Sequence, residues 1–145
     1  MSRRKARTAA LQALFALDVG RIPEEVALSH VVEENELPPS DAAFTRALVS
    51  GVLQNRQRLD ELLAKYAIGW EVERMPAVDR NILRLGLYEL LYLREEIPAS
   101  VSINEAIELA KAFSDEEAGP FINGVLDSIR RDLDAGKAED KATGG

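Results

Sequence analysis

The sequence predicts an all-α fold of six or seven helices. Apolar residues recur at three- and four-residue spacing along most of the chain, and Pro and Gly punctuate the helical runs. No stretch alternates with period two between hairpin turns, which removes strands from consideration. At 145 residues the chain fits one domain, and a domain of that size buries about 68–70% of the surface its unfolded form exposes.

Leu11, Leu14, Phe15 and Asp18 repeat at helical spacing, and Gly20 followed by Pro23 closes the run, so residues 3–19 form the first helix. Pro23 suits the first turn of a second helix carrying Val26, Leu28, Val31 and Val32. Pro38 and Pro39 interrupt the chain. Ser40 then reads as N-cap to a helix that aligns Phe44, Leu48 and Val52, followed by Leu59, Leu62, Leu63 and Tyr66, a stretch long enough to bend near Gly51. Gly69 ends this part.

Residues 78–93 differ in kind, because Ile82, Leu83, Leu85, Leu87, Leu90, Leu91 and Leu93 surround most of the circumference. A surface helix would be apolar on one face only, so this is the central helix. Ile97-Pro98 ends it. Ser102-Ile103-Asn104-Glu105 reads as a capping box opening a helix striped by Ile103, Ala106, Ile107 and Ala110. A second box, Ser114-Asp115-Glu116-Glu117, precedes a last helix with Ile122, Val125, Leu126, Ile129 and Leu133 on one face. Residues 134–145 contain nothing more apolar than alanine and read as a disordered tail, which leaves 1–133 as the folded domain.

The chemistry open to the chain is narrow. It has no cysteine and a single histidine, His30, which removes disulfides, Cys-containing zinc sites and Cys/His catalysis. His30 reads as a half-exposed helix residue. No Gly-rich phosphate loop, HExxH motif or nucleophile elbow is present, so neither an enzyme nor a bound metal or cofactor is expected. No apolar run approaches the ~20 residues that span a bilayer, and the basic start lacks the apolar stretch of a signal peptide. The expected location is the cytoplasm.

Charge is segregated. Arg3, Arg4, Lys5 and Arg7 open the chain with no carboxylate among the first seventeen residues, and without these four cations the net −7 of the whole chain becomes −11. A basic tip on an acidic body favours one local polyanionic partner. At 100° per residue, Arg3, Arg4 and Arg7 fall in the sector of Leu11, Leu14 and Phe15, while Lys5 points away. The arginines thus extend the core stripe, where a merely solvated face would lie opposite it. Guanidinium both forks onto phosphate and stacks on unpaired bases, which points towards RNA. Phe15, Tyr66 and Phe121 could supply stacking platforms, and Trp70 beside Gly69 reads as a packing anchor. Asn123-Gly124 inside the last helix runs against helix propensity and points to a close backbone approach or a functional asparagine.

The stretches 101–111, VSINEAIELAK, and 121–127, FINGVLD, together with 80–90, RNILRLGLYEL, and 7–15, RTAALQALF, resemble the signature of the NusB family of bacterial transcription antitermination factors. The resemblance covers residues 3–133. It implies an all-helical fold of two small packed bundles, no enzymatic activity, and binding of the single-stranded boxA element in nascent transcripts, notably of ribosomal RNA operons. It further implies pairing with NusE, a small-subunit ribosomal protein, and through it attachment to elongating RNA polymerase. Carried over by position, it assigns RNA contacts to Arg3, Arg4, Lys5, Arg7, Gln12, Phe15, Tyr66, Phe121 and Asn123, and places Asp79 on the NusE-facing surface. Phe15 stands where the family often has tyrosine, and Gly119-Pro120 where it often has a basic residue. With Glu116, Glu117 makes that corner more anionic, so Glu117 is expected to tune RNA affinity downward.

Two other readings come from different classes. One is a protein-interaction adaptor with little RNA affinity of its own. The other is a stand-alone relative of the N-terminal domain of a ribosomal RNA methyltransferase, for which the chain offers no AdoMet-binding α/β domain.

Overall fold

The computed structural model describes residues 3–136, and every regular element among them is helical: seven α-helices and one 3₁₀ turn. They divide between Gln54 and Asn55 into two compact units.

The first unit holds α1 (Arg4–Gly20), α2 (Glu24–Glu34) and α3 (Pro39–Gln54), with α1 packed on both others. Ala6, Ala9, Ala10 and Ala13 are wholly buried on α1, joined by Leu11 and Leu14. These small side chains let the helix backbones approach closely. Ser40 lies inside the first turn of α3, one residue past its start. Proline needs no partner for an N–H it lacks, so Pro39 opens the helix, and the carbonyl of Pro38 accepts from the Ala42 amide at 2.8 Å. The expected bend near Gly51 is instead a break at Asn55, and Gly51 is buried within α3.

The second unit holds α4 (Arg56–Tyr66), a 3₁₀ turn (Val72–Arg74), α5 (Ala77–Tyr92), α6 (Ala99–Phe113) and α7 (Ala118–Asp134). As expected, α5 is central: it packs on α4, α6 and α7, and Ile82, Leu83, Leu85, Leu87 and Leu90 are buried. Gly86 is the point of closest approach, where an added Cβ would stand 2.7 Å from Leu126 Cδ1. Two polar pins tie α5 to its neighbours. Arg84, 3% exposed, forks onto Asp60 of α4 through Nε at 2.8 Å and Nη2 at 2.9 Å. Glu89, 2% exposed, accepts from the Ser102 hydroxyl of α6 at 2.7 Å.

That last bond corrects the first capping box. Pro98 is the N-cap of α6, four residues before Ser102, whose hydroxyl therefore faces a neighbouring helix and not its own backbone. The second box is displaced too. Ser114 closes α6 and donates to Asp79 Oδ1 at 2.6 Å, while Asp115 Oδ1 accepts from the amides of Glu117 and Ala118, both at 3.1 Å. Of the tail expected over 134–145, Asp134 still belongs to α7, and residues 137–145 lie outside those described.

Candidate nucleic-acid interface

In the first unit, the basic turn is built against helix electrostatics. The N-terminus of α1 carries Arg4 and Lys5 with Arg3 at the cap position, no side-chain capping bond and no acidic residue in its first turn. A helix N-terminus bears partial positive charge, so each cation there costs about 0.3–1 kcal/mol instead of stabilising. Packing holds the turn in place. The Thr45 hydroxyl of α3 donates to the Ala6 carbonyl at 2.9 Å, and Phe44 beside it takes the Arg3 guanidinium over its ring at 4.0 Å and that of Arg7 at 5.5 Å. Arg3, Arg4 and Lys5 are exposed; Arg7 is 5% exposed. The sector arithmetic on α1 is thus realised literally at Arg7, which continues the core stripe under its exposed neighbours. Summed dipole and side-chain charge make this end of the helix a concentrated positive field, suited to phosphate.

Further along the same unit, Gln12 is exposed and accepts from Asn35 Nδ2 at 2.9 Å. With Ile22, Val26 and His30 these two residues line an open groove of 620 Å³. His30 is exposed on α2, and Phe15 is 39% exposed.

In the second unit, Tyr66 is half-buried, and its hydroxyl donates to Asp132 at 2.5 Å. Burial first, then that bond and the carboxylate's charge, push the phenol up to about 12. The hydroxyl is therefore committed, and the ring is what Tyr66 can offer a ligand. Phe121 is half-buried on α7, with its ring centroid 6.2 Å from that of Trp70. Trp70, expected as a packing anchor, is 52% exposed. The pair forms an aromatic step at the mouth of a 280 Å³ cleft, completed by Met75, Pro76 and three carboxylates: Asp79, Asp115 and Glu117. Asp79 is only 9% exposed and bonded to Ser114, so the charge a partner meets first belongs to Asp115 and Glu117. Asn123 is exposed and lines a separate 480 Å³ groove with Ile107, Lys111, Gly119 and Pro120. A Cβ on Gly124 would meet nothing within 4 Å, so the expected close approach is absent there and occurs at Gly86 instead.

The cations of α7 are engaged locally. Arg130 and Arg131 both bond Asp127, holding its carboxyl below the usual range, and Arg94 does the same for Asp134. Among the described residues there is no group of His, Cys, Asp and Glu able to hold a metal, and no helix long and apolar enough to cross a membrane. Sequence reasoning missed Phe44 and Thr45. Nothing along the chain ties them to α1, since their partners lie about forty residues away.

The described residues are thus all-helical, with a basic helix start in one unit and an aromatic, acid-lined cleft in the other. The NusB family model matches residues 4–131, and the chain belongs to the NusB family. The transcription antitermination protein NusB of Bacillus pumilus is 47% identical over 133 residues, 92% of this chain and 98% of that protein. Its Bacillus subtilis counterpart is 47% identical over 134 residues, with 92% and 98% covered. Among solved structures, T. maritima NusB superposes with a TM-score of 0.83 at 36% identity, covering 90% of this chain and 92% of that one. A NusB bound with NusE to double-stranded RNA superposes at 0.81 with 28% identity, covering 89% and 96%.

Proposed function

We propose that this chain is a cytoplasmic transcription antitermination factor that binds RNA together with NusE and catalyses no reaction. Its RNA target is the single-stranded boxA element of nascent ribosomal transcripts, and NusE links it to RNA polymerase. The observation that carries the reading is the basic start of α1. Cations at the positive end of a helix are disfavoured by its dipole, and their concentration there makes a field that suits an anionic partner.

Arg3, Arg4 and Lys5 meet phosphates directly, with Arg7 adding charge from beneath. Phe15, Tyr66 and Phe121 present rings to bases, Trp70 widens the step at Phe121, and Gln12 and Asn123 supply hydrogen bonds. Asp115 and Glu117 repel phosphate but attract the cations of a ribosomal protein, so the acidic lining of the cleft over Asp79 faces NusE and the Trp70–Phe121 step faces RNA. Glu117 lowers RNA affinity without capping α7, since the capping oxygen belongs to Asp115.

A salt titration of binding to boxA-containing and scrambled single strands, with a duplex as third ligand, tests this. Three or four phosphate contacts predict a log–log slope of about −2 to −3 and preference for boxA. An adaptor with negligible RNA affinity would show no preference at any salt, and that result would overturn the RNA half of the reading.

A further inference from the structure

We propose that Phe44 of α3 is a positioning residue for RNA binding, presenting Arg3 to RNA in an ordered state. This role rests on the RNA-binding function proposed above. The guanidinium carbon of Arg3 lies 4.0 Å from the Phe44 ring centroid and that of Arg7 5.5 Å away, so two cations share one ring. Arg3 stands at the cap position of α1, where its side chain makes no capping hydrogen bond and lies beside the cations Arg4 and Lys5. Left to itself, such a side chain would be the most mobile in the cluster and would lose most rotamer freedom on meeting a phosphate.

Stacking solves this without consuming donors. A ring engages the face of a guanidinium, whereas its five N–H groups radiate in the plane of the fork. The Arg3 edge that reads phosphate is therefore not spent on Phe44. Arg7, 5% exposed, approaches the same ring from within the unit and leaves it little room to turn. One residue along, the fully buried Thr45 holds the Ala6 carbonyl at 2.9 Å and fixes the backbone that carries both arginines. Phe44 is half-buried, and a core role alone would be met by any apolar residue of similar size. The stacked cations require an aromatic one.

The test compares the full-length parent with Arg3→Ala, Phe44→Leu, Phe44→Trp and the double variant Arg3→Ala/Phe44→Leu. Each is titrated with a single-stranded boxA-containing oligonucleotide, and each melt is recorded. Phe44→Leu is expected to weaken binding about three- to tenfold, the usual scale of a cation–π contact at a partly exposed site. Phe44→Trp is expected to bind at least as tightly as the parent, because indole is the best ring for a cation. In the Arg3→Ala background, Phe44→Leu should add little further loss. Parent-like binding by Phe44→Leu, equal losses in both backgrounds, or weak binding by a folded Phe44→Trp would each overturn the positioning role. Should Phe44→Leu not fold, the tryptophan variant alone decides it. Parent-like binding by Arg3→Ala would overturn the positioning role by removing the Arg3 contact, whereas failure of the parent to prefer the boxA strand over a scrambled one would overturn the RNA-binding function on which it rests.

Discussion

Lys5→Glu should raise stability and lower RNA affinity at once. Lys5 is exposed in the first turn of α1, at the end of the helix where the backbone dipole is positive. A cation there costs about 0.3–1 kcal/mol and a carboxylate gains a similar amount, so the exchange is worth about 0.6–2 kcal/mol in favour of folding. For a chain near 145 residues, where each kcal/mol moves Tm by about 2–4 °C, the melt should rise by several degrees. Binding moves the other way. One phosphate contact is lost, so the salt slope for single-stranded RNA should become shallower by about 0.7, and affinity at low salt should fall several-fold. Calorimetric melting and fluorescence titration across a salt series measure both quantities on one preparation. A lower Tm would show that Lys5 has a structural role outweighing the dipole. Unchanged RNA affinity with unchanged slope would refute the claim that the basic turn is kept for RNA at the expense of stability.

Three other perturbations address the second unit. Gly86→Ala gains about 1 kcal/mol of helix propensity but forces a methyl to within 2.7 Å of Leu126 Cδ1, an overpacking that costs about 1–3 kcal/mol; urea unfolding should show a net loss of up to about 2 kcal/mol, and a gain would mean the α5–α7 seam is loosely packed. Tyr66 has its folded pKa raised to about 12 from the usual 10, so its contribution is complete below pH 10 and lost as pH rises towards 12. The parent should therefore lose stability across that window while Tyr66→Phe loses less, the difference being about 1 kcal/mol after allowing for partial exposure; parallel pH profiles would refute the assignment. Phe121→Ala should cost about 1–3 kcal/mol of RNA binding and less stability than the 3–5 kcal/mol of emptying a fully buried phenylalanine site; a melt collapse of that larger size with RNA binding retained would place Phe121 in the core.

What the sequence revealed depended on the range of the interaction. Helix content and the central place of α5 follow from periodicity, because Ile82 to Leu90 can be buried on all sides only in the middle of a bundle. The misplaced caps share one cause. Ser102 and Ser114 have the local spacing of capping boxes, yet α6 begins earlier, at Ala99, and distant carboxylates, Glu89 and Asp79, claim the hydroxyls. Local pattern cannot see a partner on another helix. At the interface, the basic start was visible as composition and its sector on α1 as arithmetic. The burial of Arg7 and the ring that holds it were not, since Phe44 lies on a helix reached only by folding. Likewise Trp70 looked apolar enough to be an anchor, and only packing shows that it stays half outside as a step beside Phe121.

Cooperative assembly on RNA is the central claim, and one titration tests it most directly. A boxA-containing RNA is titrated into this protein alone and into the protein saturated with NusE, with a scrambled RNA as control. If NusE and RNA bind this protein together as proposed, the two ligands should strengthen each other reciprocally by about 1–3 kcal/mol, about 5–150-fold in affinity. Equal boxA affinity with and without saturating NusE, or equal affinity for the scrambled strand, would contradict it.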